Sequence, residues 1–225
     1  MSHDRLVIAI DGPSGSGKST TSRGVAKALG LAYLDTGAMY RAVTRAFLDA
    51  GVDRSDEAGV IAVTRAADLE ISTDPDDQWV RVNGRDVTTE IREPEVSANA
   101  SAVSTVAECR ANLVARQRAI IEAAPAGIVA EGRDITTVVA PHADVRLLLT
   151  ADPEIRMARR KAELGDKVDE AQLADQVLRR DSDDSKLVNF TTAADGVTHL
   201  DCTYLTLDET IAAVLQLVEE TRSRS

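Results

Sequence analysis

Only two cysteines occur among 225 residues, and Cys109 and Cys202 stand too far apart to form a C-x-x-C pair. That spacing implies neither a disulfide framework nor a zinc site, and both residues read as buried or part-buried free thiols. Histidine is also scarce. His3, His142 and His199 have no partner spacing and no nucleophile elbow nearby, so none is assigned a catalytic role. Positive charge is in deficit: 26 Lys and Arg face 37 Asp and Glu, a formal net charge of −11. Such a chain repels nucleic acid and anionic membrane, which leaves a small anionic substrate as the partner, provided the basic residues gather in one cleft. No apolar run reaches membrane-spanning length, and Met1–Arg5 lacks the apolar stretch of a signal peptide, so a cytoplasmic location is expected. Internal repeats, low-complexity tracts and heptads are absent, and a monomer is the default expectation.

What remains is ordinary for a soluble globular protein, with 44% hydrophobic and 28% charged residues. The length suits one domain, or one domain with an insert, and is ample for a packed core.

The densest signal is Gly12-Pro13-Ser14-Gly15-Ser16-Gly17-Lys18-Ser19, followed by Thr20. It fits a phosphate-binding loop at every defined position. The apolar strand Leu6–Ile10 runs into it and a helix from Lys18 to about Leu29 leaves it, which is the context the motif needs. Glycines let the backbone curl so that its N–H groups face phosphate oxygens, and the helix N-terminus adds its positive end. Lys18 is expected on the β- and γ-phosphates and the Ser19 hydroxyl on Mg²⁺, so the ligand is a nucleoside triphosphate. Asp11, one residue before the loop, either helps to hold Mg²⁺ or bonds the loop backbone; the second is preferred.

Strands and helices then alternate. Strands are predicted at Leu31–Leu34, Gly127–Ala130, Val145–Thr150 and Val197–Leu200. Helices are predicted at about Ala38–Ala50, Ala107–Ala124, Pro153–Leu164 and Glu170–Arg180. A last helix carries Ile211, Val214, Leu215 and Val218 as one apolar stripe. This order predicts an α/β fold, a parallel sheet of about five strands with helices on both faces, and ligands beyond the carboxyl ends of the strands. One segment breaks the pattern. Leu69–Thr73, Trp79–Val82 and Arg85–Val87 read as short strands around the hairpin turn Asn83-Gly84, so roughly residues 65–95 form a small antiparallel β insert. Trp79 reads as a packing anchor of that insert rather than a base-stacking platform. Gly165–Glu170 and Asp181–Ala194 are polar and aperiodic, and read as mobile loops.

The acceptor is read from the arginines. Arg41, Arg110, Arg133 and Arg180 stand at or near the ends of elements that open on the cleft, and phosphoryl transfer needs such cations more than it needs covalent help. Arg133 and Asp134 directly follow an apolar strand, and Asp134 is placed to hydrogen-bond a base or another arginine. Arg156, Arg159 and Arg160 share a helix face by their spacing, which leaves open whether they bind phosphate or form a solvated charged face.

The stretches Ile8–Ser19 and Leu34-Asp35-Thr36-Gly37-Ala38-Met39-Tyr40-Arg41 resemble the opening of bacterial cytidylate kinases. The likeness continues through Glu90-Ile91-Arg92, Val96–Ser101, Arg116-Gln117-Arg118 and Ala130-Glu131-Gly132-Arg133-Asp134, and covers essentially the whole chain. The resemblance implies a P-loop kinase fold with a mobile lid and ATP-dependent, Mg²⁺-assisted conversion of CMP, and usually dCMP, to the diphosphate. It implies a core of about 1–35, 105–155 and 195–225, a monophosphate-binding region of about 36–104, and a lid of about 156–194. It places Thr36, Arg41 and Arg133 on the acceptor phosphate and neighbouring groups, and Ser101, Arg110 and Asp134 on the cytosine edge. Arg180 and Asp184 would close over the acceptor ribose and phosphate, and Arg159 and Arg160 over the triphosphate. The family's further lid arginine is replaced here by Leu187, with Lys186 beside it as a point charge, which implies weaker acceptor binding or altered ribose preference.

Two other readings share parts of this pattern. A signalling GTPase needs a guanine-reading Asn-Lys-x-Asp, which does not occur. A P-loop kinase for another small acceptor, UMP or a shikimate-like metabolite, is the alternative; kinases of small metabolites such as shikimate share the fold and the arginine cluster but generally lack the β insert.

Overall fold

The computed structural model describes residues 5–164, 190 and 192–224. Five strands, β1 (Leu6–Asp11), β2 (Ala32–Asp35), β6 (Gly127–Gly132), β7 (Val145–Thr150) and β8 (Thr198–Asp201), form one sheet in the order β2-β6-β1-β7-β8. Every pairing in it is parallel. Three more strands, β3 (Leu69–Ile71), β4 (Val80–Val82) and β5 (Arg85–Asp86), form a separate antiparallel sheet.

The parallel strands are apolar on both faces because helices cover both. Ile8, Ile10, Val129, Leu147 and Leu149 point to one side. There they pack with Val25 and Ala26 of α1 (Lys18–Leu29) and with Val214 and Val218 of the last helix, α8 (Leu207–Arg224). Ile211 and Leu215, the rest of the predicted stripe, pack half-buried against the same cluster. Ala9, Leu34, Ile128 and Ala130 point the other way, onto α2 (Thr36–Asp49), α3 (Glu57–Ala66) and α6 (Ala107–Ala123). Helix α3 was not read from the sequence. It is short and starts on Asp56, whose carboxylate accepts from the Gly59 N–H at 3.0 Å. Two brief helices, α4 (Pro94–Asn99) and α5 (Ser101–Ser104), follow the second sheet, and α7 (Pro153–Leu164) follows β7.

Helix α2 starts two residues before its predicted position. Asp35 caps it, accepting from the Ala38 N–H at 2.8 Å, and Thr36 therefore sits in the first turn. In the insert, Asn83 (φ 52°) and Gly84 (φ 75°) both adopt the left-handed region that a tight two-residue hairpin demands. Val80 and Val82 bury one face of that hairpin in the core beneath α2. Trp79 is half-buried with the Arg81 guanidinium 4.6 Å from its ring centre, and it does not line the cleft described below. Cys109 and Cys202 are buried free thiols. The predicted helix Glu170–Arg180, the loop Gly165–Glu170 and most of Asp181–Ala194 lie outside the described residues. Among the described residues, no helix is long and apolar enough to cross a membrane.

Candidate active site

The carboxyl ends of β1, β2 and β6 meet at one edge of the sheet. Register pairs Asp11 with Gly132 and Asp35 with Glu131, so the residues that follow each strand open on a common cavity of about 450 Å³. The loop after β1 supplies one wall. Gly15 (φ 75°) and Gly17 (φ 88°) take left-handed conformations that curl the backbone. A Cβ on Gly15 would also come 2.5 Å from the Arg156 carbonyl oxygen. Lys18 Nζ donates to the Pro13 carbonyl at 3.2 Å and lies against the loop it would serve. Ser14, Gly15, Gly17, Ser19 and Thr20 line the cavity with it, while Ser16 is fully buried behind them.

Glu131, the penultimate residue of β6, lines the cavity and is 2% exposed. Its Oε1 accepts from the Ser19 hydroxyl at 2.5 Å and from the Tyr33 hydroxyl at 3.1 Å. Burial, and then the charge of Asp35 beside it, push the Glu131 carboxyl up; Lys18 pulls the other way. Asp35 goes in the opposite direction. Burial would raise it too, but Arg41, the Ala38 N–H, Arg92 and Lys18 together hold it below the usual carboxylate range. Two acids in adjacent register are thus split into one that holds its charge firmly and one whose charge Lys18 and Arg41 offset only in part.

That asymmetry bears on Mg²⁺. The ion takes hard oxygen donors, usually one or two carboxylates together with phosphate and water. Ser19 Oγ and the under-compensated Glu131 carboxylate, at the mouth of a phosphate loop, are such a donor set, so the residues present fit the ion. Asp11 does not belong to it. Its carboxylate accepts from the Ile135 N–H (2.9 Å), the Thr136 N–H (2.8 Å) and the Thr136 hydroxyl (2.6 Å). The expected contact with the phosphate-loop backbone is not the one made: the carboxylate bonds the backbone of the turn after β6 instead. Parallel register sets Asp11 beside Gly132, which brings that turn within its reach.

The opposite wall carries the acceptor candidates. Thr36 is buried and donates to the Glu131 carbonyl at 2.8 Å. Arg41, one helical turn on, pairs with Asp35 at 3.0 Å. Arg133 lines the cavity with its guanidinium 5.2 Å from the Phe190 ring centre. Arg110 Nη2 donates to Asp134 Oδ2 at 2.6 Å, a part-buried pair at the far end. Burial raises the Asp134 carboxyl, and Arg110 offsets part of that. Tyr40 lines the same end, its hydroxyl raised by burial. Ser101 is not among the lining residues; Ser97, Ala100 and Ser104 of the same helical stretch are.

The three α7 arginines separate. Arg156, only 8% exposed, donates to the Ser14 carbonyl at 3.0 Å. Arg159 donates to the carbonyls of Ser16 (3.3 Å) and Cys202 (2.9 Å) and faces a second cavity of about 410 Å³ behind the loop. Arg160 alone of the three lines the main cavity. They form neither a solvated stripe nor one phosphate shell, because two of them brace the loop from behind. Arg180, Asp184, Lys186 and Leu187 lie outside the described residues.

Sequence reading assigned no role to Glu131, Tyr33, Tyr40 or Arg92, all of which line the cavity. For Glu131 a signal existed: an acid closing an otherwise apolar strand inside Glu131-Gly132-Arg133-Asp134.

Known proteins resemble the chain over nearly its whole length. The family described as cytidylate kinase matches residues 8–220. A cytidylate kinase of Cutibacterium acnes is 56% identical over 223 residues, covering 98% of this chain and 99% of that one. Those of Streptomyces avermitilis (44% over 220 residues; 97% and 94% covered) and Corynebacterium efficiens (45% over 224 residues; 98% and 97% covered) are similar throughout.

Proposed function

The chain belongs to the cytidylate kinase family, and from that membership we propose that it transfers the γ-phosphoryl group of ATP to CMP, and to dCMP, in pyrimidine nucleotide metabolism. The observation that supports this reading most directly is a single cavity with a phosphate loop and Lys18 on one wall, and Arg41, Arg133 and the Arg110–Asp134 pair on the other.

Two anionic nucleotides approach one another only with cations between them. In this reading Lys18 and Arg160 meet the triphosphate, and Arg41 and Arg133 meet the acceptor phosphate with the planar donors that oxygen pairs favour. Gly12 to Thr20 wrap the donor phosphates, with Arg159 bracing the loop and facing the second cavity, where the donor nucleoside fits. Ser19 and Glu131 would hold Mg²⁺, which when bound neutralises charge on the phosphates. An oxygen of the CMP phosphate attacks the γ-phosphorus in line. That oxygen is already ionised at neutral pH, so no strong general base is required.

Base choice follows from the polarity of one pair. Asp134 offers an acceptor and Arg110 a donor. Cytosine presents an amino donor next to ring and carbonyl acceptors, whereas uracil replaces the amino group with a carbonyl. Against uracil the buried pair is left mismatched, and polar mismatch of that kind discriminates by up to ~10⁴-fold. Thr36 supports the acceptor phosphate side, Ser101 follows Ala100 of the cavity wall, and the family's pattern would bring Arg180 and Asp184 to the acceptor from the lid. Residues of about 36–104 would act as the acceptor-binding region and about 156–194 as the lid. The ligands are small molecules, with a monomer as the working unit.

The test is a coupled assay of ADP release with ATP and Mg²⁺, comparing CMP, dCMP, UMP, AMP and no acceptor. Rapid turnover confined to CMP and dCMP is expected. Equal turnover of UMP at limiting concentration would remove the base-reading assignment, and release independent of any acceptor would remove the kinase reading.

A further inference from the structure

The turn that carries Arg133 and Asp134 is gripped at both ends. Residues Ile135–Val139 form a single π-helical turn, with the Asp134 carbonyl accepting from the N–H groups of Val138 (2.8 Å) and Val139 (3.0 Å). Isolated turns of this type have weaker internal geometry than an α-helix and are found where a site demands them. At its start, all three contacts of the Asp11 carboxylate fall on Ile135 and Thr136. At its end, Arg118 Nε donates to the Val139 carbonyl at 3.2 Å and Arg118 Nη2 to the Val138 carbonyl at 2.6 Å. A carboxylate thus satisfies the leading N–H groups and a guanidinium the trailing carbonyls, the sense in which charge complements a helical turn.

Neither gripping residue lines the cavity. Asp11 is 2% exposed and sits directly before the phosphate loop. Arg118 is exposed, on α6, in the Arg116-Gln117-Arg118 motif that the proposed reaction leaves unexplained. Its neighbour Arg116 does a similar task elsewhere, donating to the Ala67 carbonyl at 2.7 Å beyond the end of α3.

We propose that Asp11 and Arg118 are positioning residues that clamp the turn Ile135–Val139 and thereby set Arg133 and Asp134 for the acceptor nucleotide without touching it. The proposal rests on the reading of those two residues as acceptor ligands. Asparagine is the informative replacement. Its oxygen still accepts, but its NH₂ faces donors and opposes them, so shape is kept while the grip is lost.

The experiment compares Asp11→Asn and Arg118→Met with the unaltered enzyme, measuring KM for CMP and for ATP, the CMP-to-UMP ratio of kcat/KM, and amide exchange at residues 135–140. CMP turnover by the unaltered enzyme is the control; its absence would defeat the functional reading itself and the clamp's purpose with it. Expected in both variants are a KM for CMP raised by about ten-fold, a reduced CMP-to-UMP ratio, a KM for ATP within about two-fold of the original, and faster amide exchange in the turn. Arg118→Lys, which keeps one donor, should recover part of the loss. A generalised structural defect would move both Michaelis constants together, and that result overturns the proposal. So does an unchanged KM for CMP with an unchanged base ratio. Should Asp11→Asn fail to fold, the surface variant Arg118→Met decides the matter by the same criteria.

Discussion

The Ser19 hydroxyl donates to Glu131 Oε1 at 2.5 Å, joining residues 112 positions apart in the chain. The contact fastens the first residues of α1 to the end of β6, and it leaves a buried carboxylate aimed at the place where a nucleotide's phosphates would lie. Glu131→Gln keeps the shape and both accepted hydrogen bonds while removing the charge. Because burial and the charge of Asp35 make that charge unfavourable, the unliganded variant should melt at a higher temperature than the original. Its activity should fall by ~10²-fold at limiting Mg²⁺ and recover in part as Mg²⁺ is raised. Thermal melts and a Mg²⁺ titration of turnover check both halves.

Lys18→Ala and Arg133→Ala each remove one preorganised cation from opposite walls. Either should lower kcat by at least ~10²-fold with the fold intact. Steady-state kinetics alongside circular dichroism would show this, and near-full activity in either variant would contradict the two-wall arrangement.

Asp134→Ala leaves Arg110 part-buried without its partner and removes the acceptor proposed for the cytosine amino group. Preference for CMP over UMP should drop by ~10²-fold, mainly through slower use of CMP. Competition between the two nucleotides in one reaction measures the ratio directly.

Asp11 carries a pH signature. Burial raises its carboxyl from 3.8 to about 6, against the pull of the hydrogen bonds from Thr136 and Ile135. The folded protein therefore binds this proton more readily than the unfolded chain. Its contribution to stability is full below the unfolded value and is lost as pH rises through 6. Relative to Asp11→Asn, the unaltered protein should gain about 1 kcal/mol between pH 7.5 and pH 5. Paired urea denaturation at the two pH values reads the difference, and a gap that ignores pH would contradict the assignment.

Gly15 combines a left-handed backbone with an approach to the Arg156 carbonyl that a side chain would block. Gly15→Ala should cost on the order of 1–3 kcal/mol in stability and raise KM for ATP more than KM for CMP. Denaturation and kinetics on the same preparation separate the two effects.

The linear sequence determined the elements and much of their meaning. The apolar run Leu6–Ile10, the loop that follows and the helix after it are local facts, since strand period, glycine freedom and helix start all act within a few residues. The Asn83-Gly84 hairpin was legible for the same reason, as left-handed dihedrals at two consecutive positions strongly restrict the residue types allowed. The acids at the strand ends were visible but not their division of labour. Asp35 and Glu131 differ because parallel register sets them side by side and hands Arg41 to one and Ser19 to the other. Spacing put Arg156, Arg159 and Arg160 on one face, yet only the docking of α7 behind the loop decided that two brace backbone and one enters the cavity. Asp11 sits beside the loop in the chain and serves a turn 124 residues away. Partners of this kind belong to the packing of distant elements, and side-chain ends find them only once the sheet has brought those elements together.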